Sequence, residues 1–402
     1  MIRAALKKNG IGKYGKWLLV VFKCLVAKFF LLFFKRSHCF AHVWVFAERG
    51  VDARDNAFRL FEYVRKTHPE INAFYLIEKD SPDRKNFSSK DRLIDFCSWK
   101  HYLFYLAAEV KISAHIFGGA PEHNLFLRMS KVKILKKIFV SGKYVFLQHG
   151  VTQADGPWLH RDKVSFDLFV TVSERESEYV EKCFGHPHEV VKTLGFARYD
   201  FLPRKKSNSK KILLMPTWRH FLSGSTNESF KASDYFRSIG GLIQSARLKE
   251  LLEKYDYQLV FYPHFEVQKY LNLFSGNSER IVLASFEKFD VQKLLIDCDL
   301  LITDYSSVQF DFSYMEKPII LFQFDRNAYR SGHQGMGYFD PDRDGFGPVG
   351  LDIESVVDKV ENYLVKNCEL ENVYRIRIKE FFKYSDAKNC ERNYNAIQEI
   401  LK

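Results

Sequence analysis

Short apolar runs rich in β-branched and aromatic residues alternate with longer segments of helical periodicity from about residue 42 onward. The predicted strands of the first half of the chain are residues 42–48, 73–77, 110–115, 144–148, 168–172 and 190–194. Segments between them, such as residues 56–67 and 99–108, carry apolar residues at helical spacing. This alternation is typical of βαβ units, so it predicts a mainly parallel sheet covered by helices.

A polar stretch at residues 203–211 interrupts the alternation and is predicted to be a linker between two domains. Residues 373–402 have the pattern of an amphipathic helical tail. The pattern predicts an α/β protein with two nucleotide-binding-type domains, residues 39–205 and 206–402, whose strand ends line a common cleft. The predicted strands of the second domain are residues 212–215, 258–262, 281–284, 300–303 and 319–322.

The segment before the first predicted strand is strongly apolar, yet Lys23 and Lys28 interrupt its run at residues 17–34. A lysine in the middle of a spanning helix costs roughly 2.5–3.5 kcal/mol, which disfavours a simple transmembrane segment. A secretory signal is also disfavoured, because Lys35 and Arg36 follow the run in place of a small-residue cleavage site.

The lysines of this segment cluster on one side of a helical wheel, within an arc of roughly 140°. Residues 1–38 are therefore predicted to form an amphipathic helix that lies in the membrane interface, with its lysines toward lipid head groups. Leu31 falls inside the lysine arc, and a helix packed on the protein's own core is the alternative. The clustered lysines are Lys13, Lys16, Lys23, Lys28 and Lys35.

Composition and charge narrow the classes of function. Hydrophobic residues make up 46% of the 402 residues, which is enough to build two cores. The formal net charge of +12 suits nucleic acid, an anionic membrane surface or a phosphate-rich substrate. Nucleic acid is the least favoured partner, because the sequence has neither zinc-finger spacing nor an RNA-recognition signature. The seven cysteines are scattered and never paired as C-x-x-C, which indicates a reducing cytoplasm.

Several common motifs of nucleotide and metal binding are missing from the sequence. There is no G-x-x-x-x-G-K-[ST] loop and no G-x-G-x-x-G after the first strand, which argues against a P-loop ATPase and a dehydrogenase. No metal-ligand spacing is present, so we expect no protein-bound cofactor, while a substrate-associated Mg²⁺ stays open. Asp52, Asp55 and Asn56 are predicted to cap the first helix of the first domain.

The strongest local signal is a strand-to-helix junction at residues 301–312. A polar turn that contains Asp304, Ser306 and Ser307 follows an apolar strand there. Free backbone N–H groups and the positive end of a helix dipole bind phosphate at such a junction. An ordinary helix cap uses the same residue types, so this junction alone does not distinguish phosphate binding from capping.

Further polar groups follow other predicted strands. His149 precedes Gly150 after the fourth strand and is suited to accept a proton from an attacking hydroxyl. Thr217 and Arg219 follow the first strand of the second domain and are suited to hold phosphate oxygens. His264 follows the next strand. Each is compatible with ordinary loop chemistry, but all lie at the carboxyl ends of strands, where α/β enzymes place their sites.

Together these segments resemble the CDP-glycerol glycerophosphotransferase family, whose enzymes take part in teichoic-acid and related capsule polymer synthesis. The most recognisable block runs from residue 288 to residue 349. It contains Asp290-Val-Gln-Lys-Leu-Leu, Leu301-Ile-Thr-Asp-Tyr-Ser-Ser-Val, Phe310-Asp-Phe, Lys317-Pro-Ile-Ile, Gly337-Tyr-Phe-Asp and Gly347-Pro. Upstream, the order of the family's motifs continues through His149-Gly, Gly195-Phe-Ala-Arg-Tyr-Asp, Pro216-Thr-Trp-Arg and His264.

The resemblance implies a GT-B-like arrangement of two Rossmann-like domains, an acceptor domain followed by a nucleotide-donor domain. It implies peripheral, monotopic attachment to the cytoplasmic face of the cell membrane. It also implies a CDP-glycerol or CDP-alditol donor, a lipid-linked glycan or polymer acceptor, and release of CMP. His149 and His264 would be the catalytic histidines. The donor phosphates would be contacted by Arg198, Thr217, Arg219, Asp304, Ser306 and Ser307.

The sequence departs from the usual pattern of the family beside both histidines. Gln148 stands where the family often has Trp, and Tyr262 and Pro263 stand where it commonly has Arg-Met. These changes concern the acceptor and the alditol, and they leave the reaction class unchanged. Two other classes stay open, a sugar-nucleotide glycosyltransferase of the same fold and a non-catalytic polymer-binding protein at the membrane.

Overall fold

The computed structural model describes residues 10–34, 37–276, 278–332 and 337–402. The chain forms two units. The first unit comprises Met1–His149, Pro157–Asp200 and Asp386–Lys402, and the second comprises Gly150–Gly156 and Phe201–Ser385.

The described residues form strands and helices in the alternation that the apolar pattern predicts. The strands are β1 (Val43–Ala47), β2 (Asn72–Ile77), β3 (Leu93–Asp95), β4 (Val110–Ser113), β5 (Lys143–Phe146), β6 (Leu168–Thr171), β7 (Val191–Thr193), β8 (Lys211–Leu214), β9 (Gln258–Phe261), β10 (Ile281–Leu283), β11 (Leu300–Thr303), β12 (Ile319–Phe322) and β13 (Val349–Gly350). The helices are α1 (Gly10–Phe34), α2 (Asn56–Thr67), α3 (Trp99–Ala107), α4 (His123–Ser130), α5 (Lys133–Phe139), α6 (Glu174–Phe184), α7 (Asn227–Lys231), α8 (Asp234–Gln244), α9 (Ala246–Lys254), α10 (Val291–Asp297), α11 (Val308–Tyr314), α12 (Arg326–Gly332), α13 (Pro341–Asp344), α14 (Ile353–Val365), α15 (Asn372–Phe381) and α16 (Asn389–Leu401).

The first sheet has the strand order β3-β2-β1-β4-β5-β6-β7, and all of its strand pairs are parallel. Its interior strand β1, Val-Trp-Val-Phe-Ala, is apolar and buried along its whole length, because both faces of a parallel sheet are covered. The order reverses direction between β1 and β4. Such a reversal opens a crevice at the carboxyl ends of the two strands, so residues that follow β1 and β4 converge there.

The second sheet repeats this design with the order β10-β9-β8-β11-β12-β13, again with parallel pairs only. Its reversal lies between β8 and β11. The eleven predicted strands are confirmed. The strands β3 (three residues) and β13 (two residues) were not predicted.

The tail of the chain corrects the predicted domain boundary. It forms two helices, α15 and α16, and α16 belongs to the first unit rather than to the second. The Asp200 carboxylate accepts the backbone N–H groups of Asn389 and Cys390 at 2.9 and 2.7 Å, so it caps the start of α16. A Cβ on Gly195 would lie 2.2 Å from the Asn389 amide oxygen. Two residues of the Gly195–Asp200 motif therefore hold the last helix on the first unit.

Apolar and aromatic contacts complete the attachment of α16. Its Tyr394 ring stacks on His68 with 3.6 Å between ring centroids and also lies near Trp44, at 5.8 Å. Ala396 and Ile397 are buried beneath the helix. The predicted linker at residues 203–211 lies within the second unit, where the Ser207 hydroxyl donates to the Asp299 carboxylate at 2.6 Å and Lys211 begins β8. The chain returns to the first unit after Ser385.

The N-terminal helix α1 packs on α3 through a stripe of small and apolar side chains. This stripe lies inside the lysine arc, not opposite it. Lys23 lies over the Tyr102 ring at 5.4 Å, and the Lys28 ammonium donates to the Ser141 hydroxyl at 3.3 Å. These lysines therefore flank the contact with the protein instead of facing lipid head groups, which corrects the predicted orientation. The buried stripe is Val20, Cys24, Ala27 and Leu31.

The opposite face of α1 is apolar and exposed to solvent. The segment Tyr14–Phe34 is long enough and apolar enough to cross a membrane, and most of it is not buried in the protein. The side chain of Lys13 and the whole of Lys35 lie outside the described residues. The exposed apolar residues include Leu18, Phe22, Leu25, Phe29, Leu32 and Phe33.

Candidate functional site

Glu48 follows β1 at the reversal of the first sheet and is buried, with 1% of its surface exposed. Its Oε1 atom accepts the backbone N–H groups of Ala57 and Phe58 at the start of α2, at 3.0 and 3.1 Å. Its Oε2 atom is buried without a hydrogen-bond partner among the described residues. Burial, followed by the charges of Asp55 and Asp52, raises the pKa of Glu48 well above its ordinary value.

Two histidines lie against each other beside Glu48. His115 follows β4, and its ring stacks on His149 with 4.7 Å between centroids and an interplanar angle of 17°. Burial, and then the neighbouring His149, lowers the pKa of His115 to about 3. Burial also lowers the pKa of His149, and Asp55 opposes this with a smaller effect. The residue as a whole keeps exposed surface although its ring is surrounded by protein, so its neutral imidazole is able to accept a proton from a bound hydroxyl.

Gln148, the residue before His149, has an unusual backbone conformation and several hydrogen bonds that fix its position. Its φ is 57°, a left-handed value that costs a residue with a side chain about 1–3 kcal/mol. Its Nε2 donates to the Val170 carbonyl at 2.7 Å and to Glu176 at 3.1 Å, while its own carbonyl accepts from Asn56 at 2.7 Å. This network anchors the loop after β5, and it explains why an amide side chain occupies the position before His149.

Arg198 lies in the same part of the first unit. Its guanidinium Nη1 donates to Asp55 Oδ1 at 2.7 Å, and its backbone N–H donates to the Asn56 side chain at 3.0 Å. The residue is 8% exposed. Asp55 also caps α2 as predicted, since its side chain accepts the backbone N–H of Asn56. The structure therefore places Arg198 against Asp55, and its predicted contact with donor phosphate stays a prediction.

Arg219 occupies the corresponding place in the second unit and is fully buried. Its Nε and Nη2 atoms donate to Asp325 at 2.6 and 2.9 Å, and Nη2 also lies 2.8 Å from Asp304 Oδ2. Its Nη1 donates to the Thr217 carbonyl at 2.6 Å. Burial lowers the pKa of Arg219, but the two carboxylates more than offset this effect, so the pKa lies above its ordinary value. This guanidinium is engaged by the protein, whereas the sequence predicts a contact with donor phosphate.

Asp304 joins the loops that follow β8 and β11. Its Oδ1 atom accepts the backbone N–H groups of Thr217 and Tyr305 at 2.8 and 2.6 Å, and the residue is 1% exposed. Tyr305 stacks on Tyr329 with 3.6 Å between centroids. The Thr217 hydroxyl is buried and makes no hydrogen bond within the described part of the chain. The Tyr305 hydroxyl is likewise buried without a partner there, so both hydroxyls keep the capacity to bind a ligand.

Ser306 and Ser307 lie in the turn before α11. The Ser306 hydroxyl accepts the backbone N–H of Val308 at 3.4 Å, and Ser307 begins the helix without a capping bond from its side chain. Since α11 has seven residues, its dipole is smaller than that of a long helix. A Cβ on Gly150 would lie 2.6 Å from the Ser307 hydroxyl, so glycine allows segment Gly150–Gly156 to approach this turn.

His264 follows β9 and is exposed. Its Nδ1 atom accepts the backbone N–H of Glu266 at 3.3 Å, which places the proton of the neutral ring on Nε2. The ring is nearly parallel to that of Trp218, at 5.7 Å between centroids and 12° between planes. The second unit therefore brings His264 next to the loop that carries Thr217 and Arg219.

Glu48, Asp55 and His115 form a group that the sequence did not predict as a site. Each offers one ligand atom, and these three atoms lie within 4.8 Å of one another. A signal was present, because the predicted strands at residues 42–48 and 110–115 end at Glu48 and His115, on the two strands that flank the reversal. A protein-bound cofactor was not expected from sequence, so this group is an addition from the structure.

Comparisons with known proteins identify the relatives of this chain. The family described as CDP-glycerol:poly(glycerophosphate) glycerophosphotransferase matches residues 29–399. The minor teichoic acid biosynthesis protein GgaB of Bacillus subtilis (strain 168) is 33% identical over 371 residues, covering 89% of this chain and 40% of the relative. The teichoic acid poly(glycerol phosphate) polymerase of the same organism is 24% identical over 367 residues, covering 85% of this chain and 46% of the relative. The chain thus spans less than half the length of both relatives.

A solved structure supports the same assignment at the level of the fold. A variant of the wall teichoic acid polymerase TagF, soaked with CDPG, has a TM-score of 0.67 and 18% identity over 98% of both chains. Both the extent of the family match and the 33% identity to GgaB exceed what a shared fold alone would produce. The chain belongs to the CDP-glycerol:poly(glycerophosphate) glycerophosphotransferase family.

Proposed function

We propose that this chain transfers glycerol phosphate, or a related alditol phosphate, from a CDP-activated donor to a hydroxyl of a cell-surface glycan or of a teichoic-acid-like or capsule polymer. The observation that carries the proposal is the neutral His149 at the end of β5, in a chain of this family. The acceptor oxygen forms a bond to the β-phosphorus, and the bond from that phosphorus to the bridging oxygen breaks. CMP leaves with the electron pair, and His149 accepts the hydroxyl proton.

The donor phosphates are assigned to the second unit. We infer that His264 and the Thr217 hydroxyl contact them, because His264 is exposed and the buried Thr217 hydroxyl has no partner within the described segments. Ser306 and Ser307 supply further hydroxyls at the turn before α11. The donor itself is inferred from the family and from the CDPG soaked into the TagF variant. Any Mg²⁺ required for this transfer would enter with the donor.

The residues that form ion pairs within the protein are assigned a positioning role instead of a contact with the donor. Arg219 and Asp304 hold the β8 and β11 loops together, and we infer that they position Thr217 without touching the donor. Arg198 similarly orients Asp55 beside the two stacked histidines. These three are therefore positioning residues in the proposed mechanism.

A donor screen with the full-length protein tests the proposal. CDP-glycerol, CDP-ribitol, UDP-sugars and GDP-sugars are each offered with a polymer acceptor, and nucleotide release is measured. CMP release from a CDP-alditol that depends on the acceptor is the expected result. UDP or GDP release from a sugar nucleotide would favour the glycosyltransferase alternative. Acceptor binding without release from any donor would favour a non-catalytic polymer-binding protein.

We further infer that the first unit attaches to the cytoplasmic face of the cell membrane as a peripheral protein. The outward face of α1 exposes Leu25, Phe29 and Leu32 by 50%, 64% and 80%. A contiguous apolar surface of this kind is rare on a soluble monomer and marks an interaction site. Because the inner stripe of α1 is part of the core, the helix lies along the protein and presents its outer face to lipid.

Helix α5 ends just before Ser141, the residue that Lys28 of α1 contacts, and it also exposes apolar and basic side chains. Ile134 is 70% exposed and is flanked by the exposed Lys133, Lys136 and Lys137. Apolar side chains that alternate with lysines suit anionic lipids, since each basic residue near such a surface contributes about 1 kcal/mol. We therefore assign the positive charge that attracts anionic lipid to α5, because Lys23 and Lys28 of α1 lie against the protein.

Substitutions on the outer face of α1 test the attachment more cleanly than deletion, which would expose the core beneath the helix. The double variant Leu25→Glu with Phe29→Glu should lose co-sedimentation with anionic phosphatidylglycerol vesicles. Leu351→Glu with Val365→Glu, on exposed apolar positions of the second unit, is the matched control and should keep it. Wild-type sedimentation of the α1 variant, or wild-type protein that resists alkaline carbonate extraction, would overturn the interfacial arrangement.

A further inference from the structure

We propose that the first unit binds a divalent metal ion between Glu48, Asp55 and His115. The three ligand atoms lie within 4.8 Å of one another. Two metal–ligand bonds of about 2.1 Å allow ligand atoms to be at most about 4.2 Å apart, so small side-chain rotations suffice to close the site. The group lies at the carboxyl ends of β1 and β4, where doubly wound sheets bind their ligands.

The unpartnered oxygen of Glu48 is the second observation that indicates a ligand. Oε1 is held by the two backbone N–H groups at the start of α2, so the carboxylate has one fixed orientation. Oε2 is then the oxygen left to a ligand, and it is buried without a hydrogen bond in the described part of the protein. A buried polar atom without a partner is costly to maintain. A bound cation would satisfy it.

The surrounding charge favours a cation. Glu48, Asp52 and Asp55 carry three carboxylates, while Arg49 and Arg198 supply two guanidinium groups that pair with Asp52 and Asp55 at 2.5 and 2.7 Å. With all five ionised, the group has a formal charge of −1, which a divalent ion would change to +1. Asp55 would bridge the metal and Arg198, and such an outer partner fixes the orientation of a metal ligand.

The donor set indicates the class of metal. One imidazole and two carboxylates combine a nitrogen ligand, which suits zinc and other transition metals, with oxygen ligands, which suit manganese and magnesium. Mg²⁺ usually keeps several waters and binds through one or two carboxylates, without a histidine. The site is therefore assigned to Mn²⁺ or Zn²⁺ in preference to Mg²⁺. The remaining coordination positions would be open to water or to an anionic oxygen of a substrate.

Calorimetric titration of the chelator-treated full-length protein with MnCl₂ tests the site, without donor or acceptor. Saturable binding of one Mn²⁺ per chain is expected, with Mg²⁺ at least about tenfold weaker. Glu48→Gln keeps the oxygen that α2 holds and should weaken Mn²⁺ binding about tenfold or more. Asp52→Asn removes the same charge nearby but no ligand, and should stay within about threefold of wild type. Equal weakening in both variants, or no saturation at millimolar Mn²⁺, would overturn the proposal.

Electron spin-echo spectroscopy of the Mn²⁺-loaded protein gives a second measurement, which stays informative if Glu48→Gln does not fold. Coupling of the metal to an imidazole nitrogen is expected in wild type and should be absent in His115→Leu. Tight Mn²⁺ binding without any nitrogen coupling would remove His115 from the site and overturn the proposed ligand set. Neither measurement uses the transfer reaction, so the result is independent of the proposed function.

Discussion

The two sheets reverse their strand order at equivalent points, between β1 and β4 and between β8 and β11, and both place charged residues there. At the second reversal, Arg219 is enclosed by Asp304 and Asp325 and by aromatic rings at 4.9–5.7 Å. At the first reversal, Glu48 keeps a buried oxygen without a described partner, beside stacked histidines of lowered pKa. At the second reversal, the paired charges of Arg219, Asp304 and Asp325 fix the positions of the loops. At the first reversal, the unpartnered oxygen of Glu48 is available to a ligand or a proton.

The largest expected effect is at the first reversal. His149→Ala should lower turnover about 10²–10⁴-fold with little change in donor affinity, because a general base contributes mainly to the transition state. Steady-state kinetics with CMP release measures both quantities. His188→Ala, an exposed histidine of the same unit, is the control and should leave both unchanged. Normal turnover in His149→Ala would assign the base elsewhere.

His264→Ala should weaken donor binding as well as rate, since phosphate contacts act in the ground state too.

At the second reversal the largest effect should be on stability. Arg219→Met leaves Asp304 and Asp325 buried without their cation, which costs about 3–5 kcal/mol. The matched variant Arg326→Met breaks a more exposed pair with Asp342 and should cost about 0–1 kcal/mol. Urea denaturation followed by circular dichroism compares the two. If Arg219→Met keeps its stability and instead loses donor affinity, then Arg219 contacts phosphate and the contrast between the two reversals fails.

Acid should destabilise the first unit more than the second. His101 is fully buried in the first unit, its Nδ1 accepts the Cys97 N–H at 2.8 Å, and burial lowers its pKa to about 4. Below pH about 6.5 the unfolded chain binds the proton more readily than the folded one, so stability falls by up to about 1.4 kcal/mol per pH unit per such histidine. The loss proceeds from pH about 6.5 down to the folded pKa. His115, His149 and His186 also have lowered pKa values and lie in this unit.

Hydrogen exchange at pH 7 and pH 5, corrected for the intrinsic rate, measures this effect for each unit. Peptides from β4 should lose protection at the lower pH, whereas peptides from β11 should keep most of theirs. Earlier opening of β11 would show that the acid-sensitive groups lie in the second unit.

Thr217 is the exception inside the paired group, and its hydroxyl can be removed without changing the shape of the side chain. Thr217→Val should leave stability unchanged or raise it slightly, because the buried hydroxyl has no partner in the described chain. It should weaken donor binding by about tenfold, the value of one hydrogen bond of roughly 1.5 kcal/mol. Thermal melting and donor titration measure the two effects. A loss of stability with unchanged donor affinity would make Thr217 purely structural.

The smallest effect is expected at the turn before α11. Ser306→Ala should lower the rate only a few-fold, because the backbone N–H groups of the turn remain available to phosphate. Steady-state rates of CMP release at varied CDP-glycerol concentration measure whether KM or kcat changes. A loss of about 100-fold or more would give the hydroxyl a direct role in the reaction.

Much of the fold and part of the site followed from the sequence. Strands such as Leu300–Thr303 and Ile319–Phe322 were predicted to the residue, because an apolar run bounded by polar turns is a local signal. The position of His149 at a strand end was predictable for the same reason. The pairing of Arg219 with Asp325 was not, since the two residues are 106 positions apart and only the β12 loop brings them together. A sequence does not distinguish an arginine that is paired with carboxylates of the protein from an arginine that binds phosphate.

The orientation of α1 was missed for a related reason. A helical wheel separates lysines from apolar residues but does not say which side meets the protein. Cys24 and Ala27 are small, so they allow α1 close to α3, and the long lysines beside them reach around the contact.

The return of α16 to the first unit has a consequence for how the protein is made. The ribosome synthesises the strands of the first sheet before most of the second unit, but the helix that covers part of that sheet is made only after the second unit, from residue 389 onward. Until then Trp44 and His68 lack their Tyr394 neighbour, and the Gly195–Asp200 motif has nothing to cap. The second unit needs no segment beyond Ser385 and is free to fold first. A nascent chain therefore completes its first-made unit only after the whole of the second unit has been synthesised.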